Sequence, residues 1–439
     1  MIKETAVINK TQRYKNYKDA GVEWLGEIPE HWQTLANKYI FNLKKNQVGK
    51  KSHEYDLLSL TLRGVVVRDI DAGGKFPAEF DTYQEVKKGD FVFCLFDVEE
   101  TPRCVGLSNY NGMITGAYTV MKPNENFNRS FLYYFYLNLD TDKRMKPLYT
   151  GLRNIISKDN FFAFKTFVPP LSEQTKIAQF LDDKTTKIED AIAIKEQQIK
   201  LLKERKQILI HKAVTRGLDD SVELKDSGVE WIGEIPVHWE VKKLFGVCLF
   251  VRGNSTFSKD ELLSNGQYVA LQYGKTYKVD EVDEKYNFYV NEEFYKNTQI
   301  VNYGDTILIS TSETIEDLGH SAFYNRNDLG LLGGEQLILK PNKEKINGHY
   351  LYFSSKVFSK ELNKYATGIK VFRFNINDLK TIYTVVPPLS EQEEISAYIE
   401  TGTQKIETAI SLKQQEIGKL KEYKSSLINS VVTGKVKVC

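Results

Sequence analysis

A chain of 439 residues is too long for one ordinary hydrophobic core, so two to four domains are expected. With 41% hydrophobic and 27% charged residues the composition is globular rather than disordered. A formal charge of +2 excludes a broadly basic nucleic-acid binder but leaves room for local patches. Four cysteines are too few and too scattered for a disulfide framework, and reduced thiols in a cytoplasmic protein are the simplest expectation. Residues 1–15 lack the apolar core of a signal peptide, and no run approaches the ~18 apolar residues of a membrane span.

In chain order, a polar leader gives way to the phrase Gly21-Val22-Glu23-Trp24-Leu25-Gly26-Glu27-Ile28-Pro29-Glu30-His31-Trp32. It returns 207 residues later as Gly228-Val229-Glu230-Trp231-Ile232-Gly233-Glu234-Ile235-Pro236-Val237-His238-Trp239. A second phrase, Val168-Pro169-Pro170-Leu171-Ser172-Glu173-Gln174, returns 218 residues later as Val386-Pro387-Pro388-Leu389-Ser390-Glu391-Gln392. The unit is far longer than a solenoid repeat, so each copy should hold a self-sufficient domain. The expected plan is a leader and start of the first phrase (1–29), a first module (30–168), a central helical region (169–216), a connector with the second phrase (217–236), a second module (237–386) and a C-terminal helical region (387–439).

Within the first module, strand-like runs cover Asp56 to Leu60, Phe91 to Phe96 and Ala117 to Met121, broken at Gly73-Gly74 and Asn111-Gly112. A short helix is expected from Ser130 to Leu139 with its aromatic residues inward. The second module repeats the framework. Lys88-Gly89-Asp90 aligns with Tyr303-Gly304-Asp305, Met121-Lys122-Pro123-Asn124 with Leu339-Lys340-Pro341-Asn342, and Thr150-Gly151 with Thr367-Gly368. The residues between differ sharply, which suggests two related domains binding different things.

Each module should end where two prolines stop a strand, since neither offers an amide hydrogen to a ladder. Ser172 and Ser390 are then expected as N-caps, with Glu173 and Glu391 in the positive first turn. Only the second copy, with Glu393 three residues on, fits a reciprocal capping box. A short helix around Ile177 to Leu181 should precede a break near Asp182-Asp183, and Thr401-Gly402-Thr403 should loosen the same junction in the second copy. Beyond it, Ile188, Ile192, Lys195, Ile199, Leu202, Lys206, Leu209 and Ala213 recur at spacings of 4 and 3. They are matched by Ile406, Ile410, Lys413, Ile417, Leu420, Lys424, Leu427 and Val431. This is a heptad seam with lysines at both polar slots. Either each helix packs on its own module or the two pair with each other, antiparallel if the chain closes with pseudo-two-fold symmetry. The seam from Ile188 to Ala213 would span ~39 Å at ~1.5 Å per residue, close to the ~34–36 Å of one DNA turn.

A catalytic constellation is not evident. There is no phosphate-binding Gly-rich loop, no nucleophile elbow and no His pair at metal-ligand spacing. His31 and His238, each beside a Trp of the repeated phrase, are expected to be structural. An adenine methyltransferase commonly carries Asn or Asp before Pro-Pro, but Val168 and Val386 stand there and cannot accept that hydrogen bond.

Taken together, the two phrases in this order closely resemble the DNA-specificity subunit of Type I restriction-modification systems, over essentially the full length. The resemblance implies an α+β fold: two target-recognition domains of mixed strands and helices separated by two conserved helical regions that form an antiparallel coiled coil. It also implies that each domain reads one half of an asymmetric, bipartite site in double-stranded DNA, and that the subunit has no catalysis and no cofactor of its own. Two modification subunits would use S-adenosylmethionine to methylate adenine, and restriction subunits would use ATP and Mg for translocation and cleavage.

Base edges are read chiefly by Arg, Lys, Asn and Gln, while Lys and Arg along the rim hold phosphates. On that basis Lys44, Lys45, Asn46, Arg63, Arg68, Lys75, Arg103 and Arg153 are the first module's candidates. The second module's are Arg252, Asn254, Ser255, Gln272, Tyr273, Lys275, Lys370 and Arg373. Gly151-Leu152-Arg153-Asn154 and Gly368-Ile369-Lys370-Val371 place a glycine and a basic residue at matching points of the last loop. The alternatives are a coiled-coil scaffold without sequence-selective DNA binding and an enzyme acting on DNA without partners.

Overall fold

The structure is a computed structural model that describes residues 12–69, 79–151 and 154–438. Gly73-Gly74, Lys75 and Arg153 lie outside the described residues. The chain divides into two units, one of residues 1–196 with 414–439 and one of residues 197–413. Each contains one module and one end of each of two long helices, Leu171–Arg216 and Leu389–Val432.

In the first unit a four-stranded antiparallel sheet has the order Phe41–Leu43, Thr119–Pro123, Phe91–Phe93, Val105–Leu107. The expected helix runs from Arg129–Thr141 and buries Phe131, Leu132, Phe135, Tyr136 and Leu139. These spacings of 3 and 4 place one apolar face on the sheet. Phe41, Phe91, Phe93, Tyr136 and Phe161 interlock with centroids 4.8–6.2 Å apart: Phe41 meets Phe91, Phe93 and Tyr136 edge to face, as Phe93 meets Tyr136, Phe91 stacks on Phe93, and Phe161 tilts against its neighbours. The buried Tyr136 hydroxyl is not stranded, because Asn37 and Thr166 lie 2.7 and 2.6 Å away.

The second unit repeats this frame with Cys248–Arg252, Gln336–Pro341, Thr306–Ile309, Ser321–Tyr324 and Glu281–Val282 in one sheet. Its helix is Gly348–Leu362. It adds a second sheet of Tyr289–Val290, Tyr268–Leu271, Gly330–Leu332 and Ile300–Val301. The first unit instead carries the hairpin Leu58–Thr61 with Gly64–Val67, and the pair Gln84–Val86 with Gly112–Ile114. Gly112 therefore sits in a strand, and the break lies just before it, over residues 108–111.

The repeated phrases close each module. Gln33–Ala36 pairs with Lys165–Val168, and Glu240–Lys243 with Tyr383–Val386, so the strand after His-Trp lies beside the strand before Pro-Pro. That register brings Trp32 Nε1 3.1 Å from Glu173 and Trp239 Nε1 2.9 Å from Glu391. His31 and His238 reach the same carboxylates at 2.7 and 2.8 Å. Gln174 and Gln392 are buried, and each accepts from the backbone of the residue capping its module's helix, Asn128 at 2.9 Å and Asn347 at 2.7 Å. The same amides donate to Pro169 and Pro387, both at 2.8 Å. The leader is not loose where it is described: Tyr14 donates to Glu173 at 2.5 Å.

Three expectations about the long helices are corrected. Both start one residue before the serines, so the Pro170 and Pro388 carbonyls accept the first amides and Ser172 and Ser390 are inside the first turn. There is no break at Asp182-Asp183, because Ile177, Ala178 and Leu181 are already buried in the module core on a face that continues into the seam. Nor does Gly402 loosen its helix: a Cβ there would lie 2.8 Å from Leu209 Cδ1, so the glycine admits a close helix approach.

Within each unit the two helices run antiparallel. In the first unit Lys195 meets Glu416 at 2.6 Å and Lys424 meets Glu189; in the second Lys206 meets Glu407 at 2.8 Å. Ile188, Ile406, Ile410 and Ile417 are buried, and Ile192, Ile199, Leu202, Leu209, Leu420 and Leu427 half-buried. Lys195, Lys206 and Lys424 lay their stems along this apolar strip while their ammonium groups meet carboxylates at its rim. The helix ends also pack on the modules: Ile428, Val431 and Val432 enter the first core, and Ile210, Ala213 and Val214 the second. Pairing and packing on a module, posed as alternatives, thus occupy different stretches of each helix.

Asp280 ties the second module to its helices, lying 2.6 Å from Lys356 and 3.4 Å from Lys206. Burial alone would raise its carboxyl, but Lys356 and Lys206 outweigh that and hold it well below the usual carboxylate range. A carboxyl depressed on folding stabilises above its unfolded value and loses that contribution as pH falls. Asp280→Asn should therefore lower the melting temperature at neutral pH, with the difference closing below about pH 4, near the unfolded value. Equal melting of both proteins at pH 7 would show that the bridge contributes nothing.

Candidate nucleic-acid interface

Chain reversals at one end of each main sheet gather most of the polar candidates. In the second unit two strands flank Gln336–Pro341: Arg252 ends one of them opposite Leu337, and Ile309 ends the other opposite Gln336. Four stretches therefore emerge side by side: 252–255, 310–313, 333–336 and the last loop, whose Phe372–Arg373 pairs with Thr311–Ser312. Leu271, just before Gln272 and Tyr273, joins them through its carbonyl, which accepts from Gly333 at 2.9 Å and Gln336 at 2.6 Å.

Individual candidates differ in what their side chains do there. Arg252, Asn254 and Lys370 are exposed. Asn254 Oδ1 accepts from Lys296 at 3.3 Å. Ser255 is buried, with a hydroxyl that has no hydrogen-bond partner among the described residues, and the half-buried Gln272 has an Oε1 in the same state. Tyr273 stacks on Tyr277 at 5.6 Å, and burial followed by the charge of Glu313 raises its hydroxyl above the usual tyrosine range. Lys275 lies over the Phe288 ring at 4.4 Å, an inward cation–π contact. Arg373 is exposed, with Glu335 3.8 Å away. Glu335 was not among the sequence candidates, and its signal was available: it stands five residues before Lys340 of the matched Lys-Pro-Asn, where the first module has Ala117, five residues before Lys122.

The first module has the corresponding edge. Two strands flank Thr119–Pro123: Leu43 ends one opposite Met121 and Phe93 ends the other opposite Thr119, so Lys44, Lys45 and Asn46 leave from the same end as Leu95 and Phe96. Lys44 turns inward, 2.7 Å from Asp90 and 3.8 Å from Glu85. Burial alone would raise the Glu85 carboxyl, but the Asn46 amide, Lys44 and Lys87 together hold it below its usual value. Arg103 is also internal, 3.4 Å from the buried Asp140. Its Nη2 meets the Leu62 carbonyl at 3.4 Å, which brings the hairpin tip carrying exposed Arg63 to this edge. Lys45 and Asn46 are exposed, as is Arg68 at the far end of that hairpin.

Among the described residues no group of three or more His, Cys, Asp or Glu could hold a metal ion, and no helix is long and apolar enough to cross a membrane. Cys94, Cys104 and Cys248 are unpaired and buried, and burial pushes the Cys104 and Cys248 thiols up to about 12.

Comparison with known proteins gives this architecture relatives. A Methanocaldococcus jannaschii chain named as the MjaX type I restriction enzyme specificity subunit is 26% identical over 94% of this chain and 96% of its own. The MjaVIII specificity subunit of the same organism is 27% identical over 66% of each. Among solved structures, one from a study of complex assembly and conformational transition in the type I R-M system covers 92% of this chain and 98% of its own, with a TM-score of 0.66 at 14% identity. The HsdS subunit from Thermoanaerobacter tengcongensis covers 95% and 100%, with a TM-score of 0.50 at 13% identity. The fold is therefore shared well beyond recognisable sequence. The family description "Type I restriction modification DNA specificity domain" matches residues 105–204 and 236–419, one stretch reaching from each module into the helix that follows it, and the chain belongs to that family.

Proposed function

We propose that this chain is the noncatalytic DNA-reading subunit of a type I restriction-modification complex, with residues 30–168 and 237–386 as its target-recognition domains. Each reads one half of an asymmetric, bipartite site in double-stranded DNA. Two modification subunits that methylate adenine with S-adenosylmethionine, and restriction subunits that use ATP and Mg, supply the chemistry. The observation that supports this reading best is the pair of corresponding sheet edges: one scaffold carries two different sets of polar loops at the same end. A shared frame with divergent tips is what two readers of different sequences require. Lys45, Asn46, Arg63, Arg68, Arg252, Asn254, Gln272, Tyr273, Lys370 and Arg373 are the proposed DNA contacts, along with Lys75 and Arg153 in segments outside the described residues. Lys44, Arg103, Ser255 and Lys275 would support the loops from within.

The test is a module exchange. Residues 30–168 are replaced by the equivalent module of a relative with a different site, and the chain is assembled with its modification partner. One half-site should change while the other stays. A change in both halves, or affinity that follows salt alone with no site preference over competitor DNA, would refute the reading.

A further inference from the structure

At one corner of the sheet edge the two modules place opposite chemistries on matching positions. In the second module Thr311, Glu335 and Arg373 converge. The Thr311 hydroxyl donates to Glu335 Oε2, Arg373 Nη2 lies 3.8 Å from Glu335 Oε1, and Thr311 pairs with Arg373 across two short strands. Counting seven residues from the shared Gly-Asp turn reaches Thr311 in this module and Phe96 in the first. Counting back from the shared Lys-Pro-Asn reaches Glu335 here and Ala117 there. Thr367 bridges to Arg373 as Thr150 pairs with Ile155. The Phe374 amide bonds Ser310 as the Ile156 amide bonds Leu95, at 3.2 and 2.8 Å, which fixes the correspondence in space. A charged, polar trio thus stands where the first module has Phe96, Ala117 and Ile155.

Two properties of Glu335 set it apart. It is exposed yet held at φ 63°, one of four non-glycine residues at positive φ among those described. It also puts a carboxylate on an edge that would face phosphates of like charge. A carboxylate is useful there only against a hydrogen-bond donor, and in the major groove the donors are the exocyclic amines of cytosine and adenine. Arg373 beside it offers the fork that matches guanine O6 and N7. A G·C pair displays both patterns side by side.

We infer that Thr311, Glu335 and Arg373 form a base-reading trio that recognises a G·C pair in the second module's half-site. Arg373 donates to guanine, Glu335 accepts from the cytosine amine, and Thr311 positions the carboxylate. This rests on the DNA-reading function proposed above and goes further by naming the base pair class and the residues that discriminate it.

The experiment uses the full chain assembled with its modification partner and duplexes randomised across both half-sites, for the native protein, Glu335→Gln, Glu335→Ala and Arg373→Ala. At 335, Ala is the residue the first module carries at the matching place, Ala117, and equal melting temperatures confirm that each variant folds. The native complex should require G·C at one position of one half-site. Each variant should lower that discrimination by about tenfold or more and leave the other half-site unchanged. Native preferences retained at every position, or affinity lost uniformly over all sequences, overturn the trio while leaving DNA reading intact. A native complex with no sequence preference at all brings down both.

Discussion

Trp239→Ala should cost the second unit about 3–5 kcal/mol, the usual range for truncating a buried aromatic. The ring is 1% exposed within the core formed by Ile210, Val214, Ile235 and Ile399, and its indole N–H is held by Glu391. It is also covered from a direction the sequence does not advertise. Gly217, just past the end of the first long helix, has φ 76°, and a Cβ there would stand 3.1 Å from the Trp239 ring. Gly434 does the same over Trp32, with φ 73° and 3.3 Å. Each tryptophan is thus anchored by the start of one long helix and overlaid by the end of the other. Removing it opens a cavity that rigid helix ends cannot collapse into. Urea denaturation followed by hydrogen exchange should show residues 197–413 opening first in the variant. A loss below about 1 kcal/mol would mean that the ring contributes only area at a yielding site.

Inserting seven heptad-phased residues after Gln197 and seven after Gln415 should lengthen the preferred gap between half-sites by about three base pairs. Both insertions fall between the seam pairs, Glu189 with Lys424 in the first unit and Lys206 with Glu407 in the second, so each pair keeps its partner. Seven residues keep the apolar strip in phase, and at ~1.5 Å each they add ~10.5 Å against ~3.4 Å per base pair. Four residues in one helix alone would add ~6 Å but rotate the strip off its partner. Methylome sequencing of cells carrying each version reads the gap directly. An unchanged gap with both half-sites retained would refute the idea that helix length measures it.

Much of the frame was legible because its signals are local. The heptad pattern from Ile188 onward needs only spacing, and the helix around Ser130 to Leu139 needs only its aromatic face. The paired phrases announced two modules before any strand was assigned. The misreadings share one cause. Ser172, Asp182-Asp183 and Thr401-Gly402-Thr403 each carry a real local preference for a cap or a break. Burial of Ile177, Leu181, Ile395 and Ile399 in the module cores outweighs those preferences and keeps both helices whole.

The interface was harder to see because side-chain chemistry does not reveal direction. Lys44 and Lys45 are neighbours of one type, yet Asp90 draws the first inward and leaves the second exposed. Arg103 looks like a phosphate ligand until Asp140, 37 residues on, is brought beside it. Glu335 has no local signal that ties it to its partners, because Thr311 and Arg373 are distant in sequence. By itself the sequence determined that there are two modules of one design joined by heptad helices, since periodicity and repetition are properties of the chain. Which carboxylate holds each His-Trp pair, which lysines face solvent, and which trio shares a corner were decided only by the tertiary structure. Those contacts join residues separated by tens to hundreds of positions, and only packing brings them within hydrogen-bond reach.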